Sequence, residues 1–218
     1  LWVADHCAAS LCSERFFSWW QKILSFKDAD ADDVKEKLTD EAEVEGEILA
    51  RLSDLIHNMF ETFGEAFFDC MEPLLPKFLQ LIDFHRAYPS RQYGVCYIDD
   101  CIEFASRRCA QYQDQFVPPL LKCLSDEYPE VRQAAAYGFG VMGMVGGVEY
   151  LNTVTNALEP LAAMVNRPDA RATEESSGAT DNGIAAVAKI LKYSGANVNL
   201  SQVGLQNLYD CLFLIELL

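Results

Sequence analysis

Three stretches of the chain, EPLLPKFLQLID from Glu72, PPLLKCLSDEYP from Pro118 and EPLAAMVNRPDA from Glu159, align on a proline followed by leucine at Pro73, Pro119 and Pro160. The offsets are 46 and 41 residues. Self-similarity at a fixed period of this length constrains a fold more tightly than composition does. Each unit is one supersecondary element that cannot bury its apolar face alone, so neighbouring units must stack.

Each aligned segment sits in a helix-periodic apolar stretch, followed by a short polar turn and a second stretch rich in small residues. The pattern predicts helical hairpins, with first helices at about 67–83, 111–125 and 149–166 and partners at about 90–106, 129–145 and 181–193. An earlier helix is expected over 46–63 and a last one from Leu200. Pro89 and Pro129 open the second helices, because the missing N–H of proline is harmless at a first helical position. Prolines inside the first helices should bend them. The third turn, NRPDARATEESSGAT, reads as an exposed loop, with Thr180 or Asp181 capping the helix that follows. β-branched residues do not alternate with polar ones over strand lengths. Periods of about 40 to 47 residues are those of HEAT and armadillo units, so the fold class is all-α, an α-solenoid of HEAT repeats forming an armadillo-like superhelix. Residues 1–45 read as a divergent first helix plus acidic linker, 46–200 as about three and a half hairpins, and 201–218 as an atypical last helix.

Half of the 218 residues are apolar, enough for a core without disulfides or metal. The 33 acidic and 17 basic residues give a net charge of −16, which repels nucleic acid and anionic lipid and favours basic partners. Half of that excess lies in 28–47, where ten carboxylates face two lysines. Eight scattered cysteines, most of them within apolar runs, suggest packed thiols in a reducing compartment. The opening LWVADHCAAS does not read as a signal peptide, and a chain starting at Leu1 reads as a fragment. The apolar C-terminal stretch is too short and too interrupted to span a bilayer.

Gly138, Gly140 and Gly143 match G-x-G-x-x-G, the fingerprint of a dinucleotide site. That fingerprint needs a strand before its first glycine, whereas PEVRQAAAY predicts a helix already two turns old. These glycines are therefore expected to let a neighbouring helix approach, with Gly146 and Gly147 ending their own. DADADDVKEKLT, from Asp28, starts like a calcium loop but has Asp33 where the turn needs glycine and Thr39 where the bidentate glutamate belongs. It reads as solvated linker. The aromatic run FFSWWQKILSF, residues 16–26, is expected to seal the first hairpin.

Asp83 with Arg91 and Asp126 with Arg132 recur at equivalent places, which suits a ladder between stacked units, with Asn182 in the arginine's place in the last. In YIDDCIEF, Asp99 and Glu103 share a helical face and, with Asp100, read as a solvated or partner-facing acidic stripe. No Walker lysine, G-x-S-x-G, H-E-x-x-H or Cys-His pairing occurs. No catalytic residue, cofactor or metal ligand is expected.

Four stretches, LARLSDLIHNMFETFGEAF, PSRQYGVCYIDDCIEF, YPEVRQAAAYGFGVM and ATDNGIAAVAKILKY, carry a resemblance. In order and spacing they are similar to the importin-beta (karyopherin) superfamily, in its importin five branch, over about 46–200. The resemblance implies a nuclear import receptor that shuttles between cytoplasm and nucleus, binds basic cargo proteins, touches Phe-Gly nucleoporins and is regulated by Ran GTPase. It also implies that this region lies near the receptor's carboxyl end and is not an enzyme. Contact candidates on the second helices are Arg91, Asp99, Asp100, Glu103, Arg132, Asp181 and Asn182. The alternative with the same periodicity is a scaffold subunit of another complex, such as a phosphatase regulatory subunit.

Overall fold

The structure, a computed structural model, describes residues 34–195, with side chains from residue 44 onward. The aromatic run at 16–26, the first half of the abortive calcium loop (28–33) and the helix expected from Leu200 lie outside the described residues. Among these residues there are helices, turns and no strands.

Among the described residues eight α-helices follow one another: α1 Val34–Phe63, α2 Phe68–Met71, α3 Leu75–Leu81, α4 Tyr88–Cys109, α5 Gln113–Cys123, α6 Pro129–Val145, α7 Leu151–Val165 and α8 Glu174–Ser194. They form two layers. The second helices of the hairpins stack in chain order, α1 on α4, α4 on α6 and α6 on α8. The first helices form the other layer, with α3 against α4 and α5, and α7 against α5, α6 and α8. Every element touches its neighbours in the series, as expected of a solenoid.

One apolar cluster runs through both layers from Leu49 to Ile190. Phe60, Phe68, Phe78, Tyr97, Phe116, Phe139 and Tyr150 are its largest uncharged side chains and are fully buried. Each such ring removed from water stabilises by roughly 1.5–3 kcal/mol. Buried Tyr97 donates its hydroxyl hydrogen to the Leu49 carbonyl at 2.8 Å, and so ties α4 to the preceding unit.

The prolines shape the first layer. Pro73 sits in a 3-10 turn, Glu72–Leu74, that separates α2 from α3, so the first expected helix is built in pieces. Pro118 and Pro119 stay inside α5 and Pro160 inside α7, where each removes a backbone donor. Pro89 and Pro129 occupy the first turns of α4 and α6.

Two boundaries differ from the sequence reading. α1 begins by Val34 rather than 46, so residues expected to form a linker are helical. The stretch is acidic, but its Glu, Lys and Leu are good helix formers. α8 begins at Glu174, and its cap is Thr173, whose side chain accepts the Ser176 N–H at 3.1 Å. Thr180 is a turn and a half inside that helix and donates to the Ala170 and Ser176 carbonyls.

The glycine fingerprint lies wholly within α6. A Cβ at Gly140 would stand 3.1 Å from the Ala186 Cα, and one at Gly143 would stand 3.0 Å from the Ile190 Cα, both on α8. These two glycines bring α6 and α8 together, and their N–H groups belong to the helix. Beyond α6, Gly147 takes the left-handed φ of +59°, while Gly146 stays helical.

Candidate binding groove

The turn between α5 and α6 places Asp126 where it accepts the Tyr128 N–H at 3.0 Å, closing the chain around the carboxylate. On the neighbouring α4, Arg91 reaches the same carboxylate through Nε at 2.9 Å and Nη2 at 2.8 Å. Both side chains are buried. A bidentate guanidinium is the geometry that best offsets the cost of dehydrating such a pair. The Arg91 guanidinium also donates to the Arg86 carbonyl and lies near the rings of Phe84 and Tyr128.

The ladder therefore has a rung that crosses between units, and the next position is built differently. Arg132 is also buried, but donates through one nitrogen to the Asp126 and Glu127 carbonyls at 2.8 and 2.9 Å. At the following level Asn182 donates to the Gln133 carbonyl at 3.2 Å, a neutral bond in place of a charged one.

A groove of about 420 Å³ opens across the second-helix layer, lined by side chains of α1, α4, α6 and α8. Asp54, Asp99, Asp100 and Glu130 bring carboxylates to it, and the only basic residue among those lining it is His57. His57 Nδ1 lies 2.8 Å from Asp100 Oδ1. The hydrogen bond to Asp100 raises the imidazole pKa. Burial outweighs that bond on the other side and lifts the Asp100 carboxyl to about 6. Glu103 accepts the Tyr137 hydroxyl at 2.8 Å.

Asp99 has no such relief. Its side chain lies between α4 and α6, only 2% of the residue is exposed, and neither carboxylate oxygen has a hydrogen-bond partner. Burial, then the charges of Asp100 and Glu103, push its carboxyl well above the ordinary range. Gly138 faces it from α6, and any Cβ there would collide with Asp99 Oδ1.

The seven sequence candidates thus fall into three groups. Asp99, Asp100 and Asn182 line the groove. Arg91 and Arg132 are buried among turn carbonyls and a carboxylate, so their charges are used within the molecule. Glu103 is half-buried against Tyr137, and exposed Asp181 pairs with Arg171 at 2.7 Å. Of the acidic stripe, expected to be solvated or partner-facing, the solvated reading is corrected. Asp99 and Asp100 are buried, because α1 and α6 pack over the face that a single amphipathic helix would leave to solvent. Sequence reasoning missed His57, Glu130, Gln133 and Tyr137. A signal for one of them lay in the period: His57 and Asp100 are 43 residues apart, about one unit.

Cys96 lines the groove, its thiol raised by burial, and burial lifts the Cys109 and Cys123 thiols to about 12. Among the described residues no cluster of His, Cys, Asp or Glu could hold a metal ion, and no helix is long and apolar enough to cross a membrane.

Stacked helical hairpins with an acidic groove across their second helices define a HEAT-repeat solenoid. The sequence profile described as HEAT repeat matches residues 116–145, and that described as importin repeat 6 matches residues 21–83. Importin subunit beta-3 of Saccharomyces cerevisiae is 29% identical over 106 residues, which cover 49% of this chain and 10% of that protein. Kap121p bound to Nup53p superimposes with a TM-score of 0.71 at 20% identity, covering 89% of this chain and 17% of Kap121p. Kap121p bound to RanGTP gives 0.65 at 23% identity, covering 76% and 15%. In these matches the chain is similar to the importin-beta (karyopherin) superfamily. It spans about a tenth of the length of the curated relative it matches.

Proposed function

We propose that this chain works as part of a nuclear import receptor. It binds basic cargo segments non-covalently along the second-helix layer, in a receptor that also meets Phe-Gly nucleoporins, is regulated by Ran-GTP, and shuttles between cytoplasm and nucleus. The observation that carries the reading is the acidic groove crossing α1, α4, α6 and α8, in a chain whose relatives are importins. Kap121p has been solved with RanGTP, with Nup53p, and with Ste12p and Pho4p, which supports the choice of partners.

Mechanism under this reading is binding alone. Carboxylates held by rigid helices attract a basic segment without reorganising, and small rotations between neighbouring hairpins adjust the groove to different segments. No proton, acyl or phosphoryl transfer is asked of any residue. The test is capture of a lysine-rich localisation peptide by the full receptor at rising salt, with and without Ran-GTP. Affinity should fall as salt screens the groove and fall again when Ran-GTP is added. Indifference to both would remove the reading.

A further inference from the structure

The two places where a second helix hands over to the next hairpin are built differently. α6 gives way at Gly146 and Gly147, and Gly147 takes the left-handed φ of +59°. After α4 the 3-10 turn Ala110–Tyr112 leads directly into α5, with no glycine or proline from Phe104 to Gln113. The change of direction is taken up inside α4 instead, at Ala105, whose φ of −135° and ψ of 39° lie outside the helical range. Alanine is the best of helix formers, so the kink has its cause in what the two ends of α4 hold. Before it, Tyr97 bonds the Leu49 carbonyl, Asp100 takes His57, and the Phe104 ring stacks on Phe60 at 5.3 Å. Beyond it, Arg108 pairs with Asp69 at 2.7 Å and with Glu72 at 3.1 Å, and Gln111 and Tyr112 donate to the same Glu72 carboxylate. The body of α4 is thus clamped to α1, while its last turn and the link beyond are latched to the first layer. One polar group is stranded between them. The Ser106 hydroxyl is buried without a partner, although the Ser106 carbonyl accepts the Tyr150 hydroxyl at 3.4 Å. In an unbroken helix that hydroxyl would reach the carbonyl four residues back, here Ile102.

We propose that Ala105 and Ser106 form a two-position hinge between this hairpin and the next: bent while Glu72 holds its three donors, and helical throughout when they let go, with the Ser106 hydroxyl bonded to the Ile102 carbonyl. Each position leaves something unmade. The bent one keeps the Glu72 latch and strands a buried hydroxyl, and the helical one satisfies the hydroxyl and releases the latch. The two costs are alike in size because the latch lies within reach of solvent. The side chains of Arg108, Glu72 and Asp69 are 32%, 31% and 71% exposed, and ion pairs so placed add little net stability. Residues ahead of the hinge keep their places, since the body of α4 is packed between α1 and α6. The moving part is α5, which follows the link and shifts against α3 and α7 in the first layer. Sliding one layer against the other alters the curvature of the stack, and the hinge needs nothing of the import-receptor reading to do so.

The experiment places nitroxides at Arg51 on α1 and Gln115 on α5, both exposed, and reads their separation by double electron–electron resonance in the 218-residue chain. Each label is attached through a ketone-bearing amino acid, so the eight cysteines stay as they are. Two separations are expected, the second gaining weight as salt rises and screens the latch. Glu72→Ala withdraws the acceptor shared by Arg108, Gln111 and Tyr112, and should raise the second population roughly fivefold over the parent at low salt. Adding Ser106→Ala should take most of that gain back, because the bent form then strands no hydroxyl. A structural role for Glu72 alone would not answer to Ser106. One separation, unmoved by salt and by Glu72→Ala, overturns the hinge, and so does a second population that Ser106→Ala leaves untouched or enlarges. Should the variants fold poorly, the salt series on the labelled parent decides, and a separation that never divides as salt rises overturns the proposal.

Discussion

Arg91 and Asp99 lie about two turns apart on α4 and are both buried ionisable groups, yet their surroundings are opposite. Arg91 meets a carboxylate bidentately across the unit boundary, with a carbonyl on a further nitrogen. Asp99 meets no donor at all. The difference separates two uses of burial. A charge whose partners are all supplied by the chain fixes how one hairpin sits on the next. A carboxyl left without partners is held in its protonated form by burial and makes the molecule less stable at that point once the proton is lost.

The sharpest way to break this comparison is to turn the first case into the second. Asp126→Ala leaves the Arg91 guanidinium buried without its carboxylate, and should cost about 3–5 kcal/mol of unfolding free energy. Urea unfolding measures it. Replacing both partners together, Arg91→Met with Asp126→Leu, should recover most of that loss, because an apolar pair of similar volume carries no uncompensated charge. If Asp126→Ala alone were nearly neutral, the rung would contribute little and the contrast would fall.

Rising pH should act on the second case. Asp99 and Asp100 have carboxyls raised by burial, Asp100 to about 6 from an ordinary 3.8, so the folded chain keeps protons that the unfolded chain has released. Stability from these groups is therefore fully present below about pH 4 and is lost as pH rises toward 6. For Asp100 the rise is worth on the order of 3 kcal/mol. The raised His57 extends the loss above pH 6.5 in the same direction. Thermal midpoints should fall between pH 4 and 6, and Asp99→Asn with Asp100→Asn should flatten the profile. A midpoint that climbs across that window, unchanged by the double substitution, would show that other carboxylates dominate.

Glycines on the two sides of α6 sharpen the comparison further. Gly143 faces α8, where a Cβ would stand 2.7 Å from Ile190 Cγ1 and 3.0 Å from its Cα. Backbone cannot step aside as a side-chain tip can, so Gly143→Ala should cost about 1–3 kcal/mol by overpacking. Gly138→Ala meets only the Asp99 carboxylate, and its cost should shrink once Asp99 is made neutral and smaller, as in Asp99→Ala. Additive costs in that double variant would separate Gly138 from Asp99.

The hairpins were legible because proline and leucine recur once per unit and Pro89 and Pro129 mark helix starts. Those signals are local. The α8 start was not legible, because Ser176, Ser177 and Gly178 are weak helix formers and hide a helix whose reason is tertiary, its packing on α6 and α7. In the groove, Asp99, Asp100 and Asn182 were found as residues, but the burial of the two aspartates was not. Carboxylates in a row read as solvated, and only the approach of α6 at Gly138 shows otherwise. Gly138 itself was read correctly as a point of close approach, although what approaches is a carboxylate. His57 and Glu130 had no local mark, since each matters only through a helix one repeat away or a groove wall built by four helices.

The smallest effect comes where neither kind of buried charge is used. The level that joins α6 to α8 has the Asn182 bond to the Gln133 carbonyl in place of a charged rung, and the chain enters α8 through a cap. Thr173 holds the Ser176 N–H with its hydroxyl oxygen, and Glu174 and Glu175 put negative charge in the first turn, where the helix dipole favours it. Thr173→Ala removes one of these contributions and should cost about 1 kcal/mol, against several for Asp126→Ala. Thr173→Asn restores a capping oxygen and should return most of it. Hydrogen exchange would show the loss confined to the first turn of α8, because the rest of the helix is held by packing on α6 that the cap does not touch. Exchange that instead quickened along all of α8 would mean the cap sets the docking of the whole helix, and the uncharged level would then be the weakest joint of the stack.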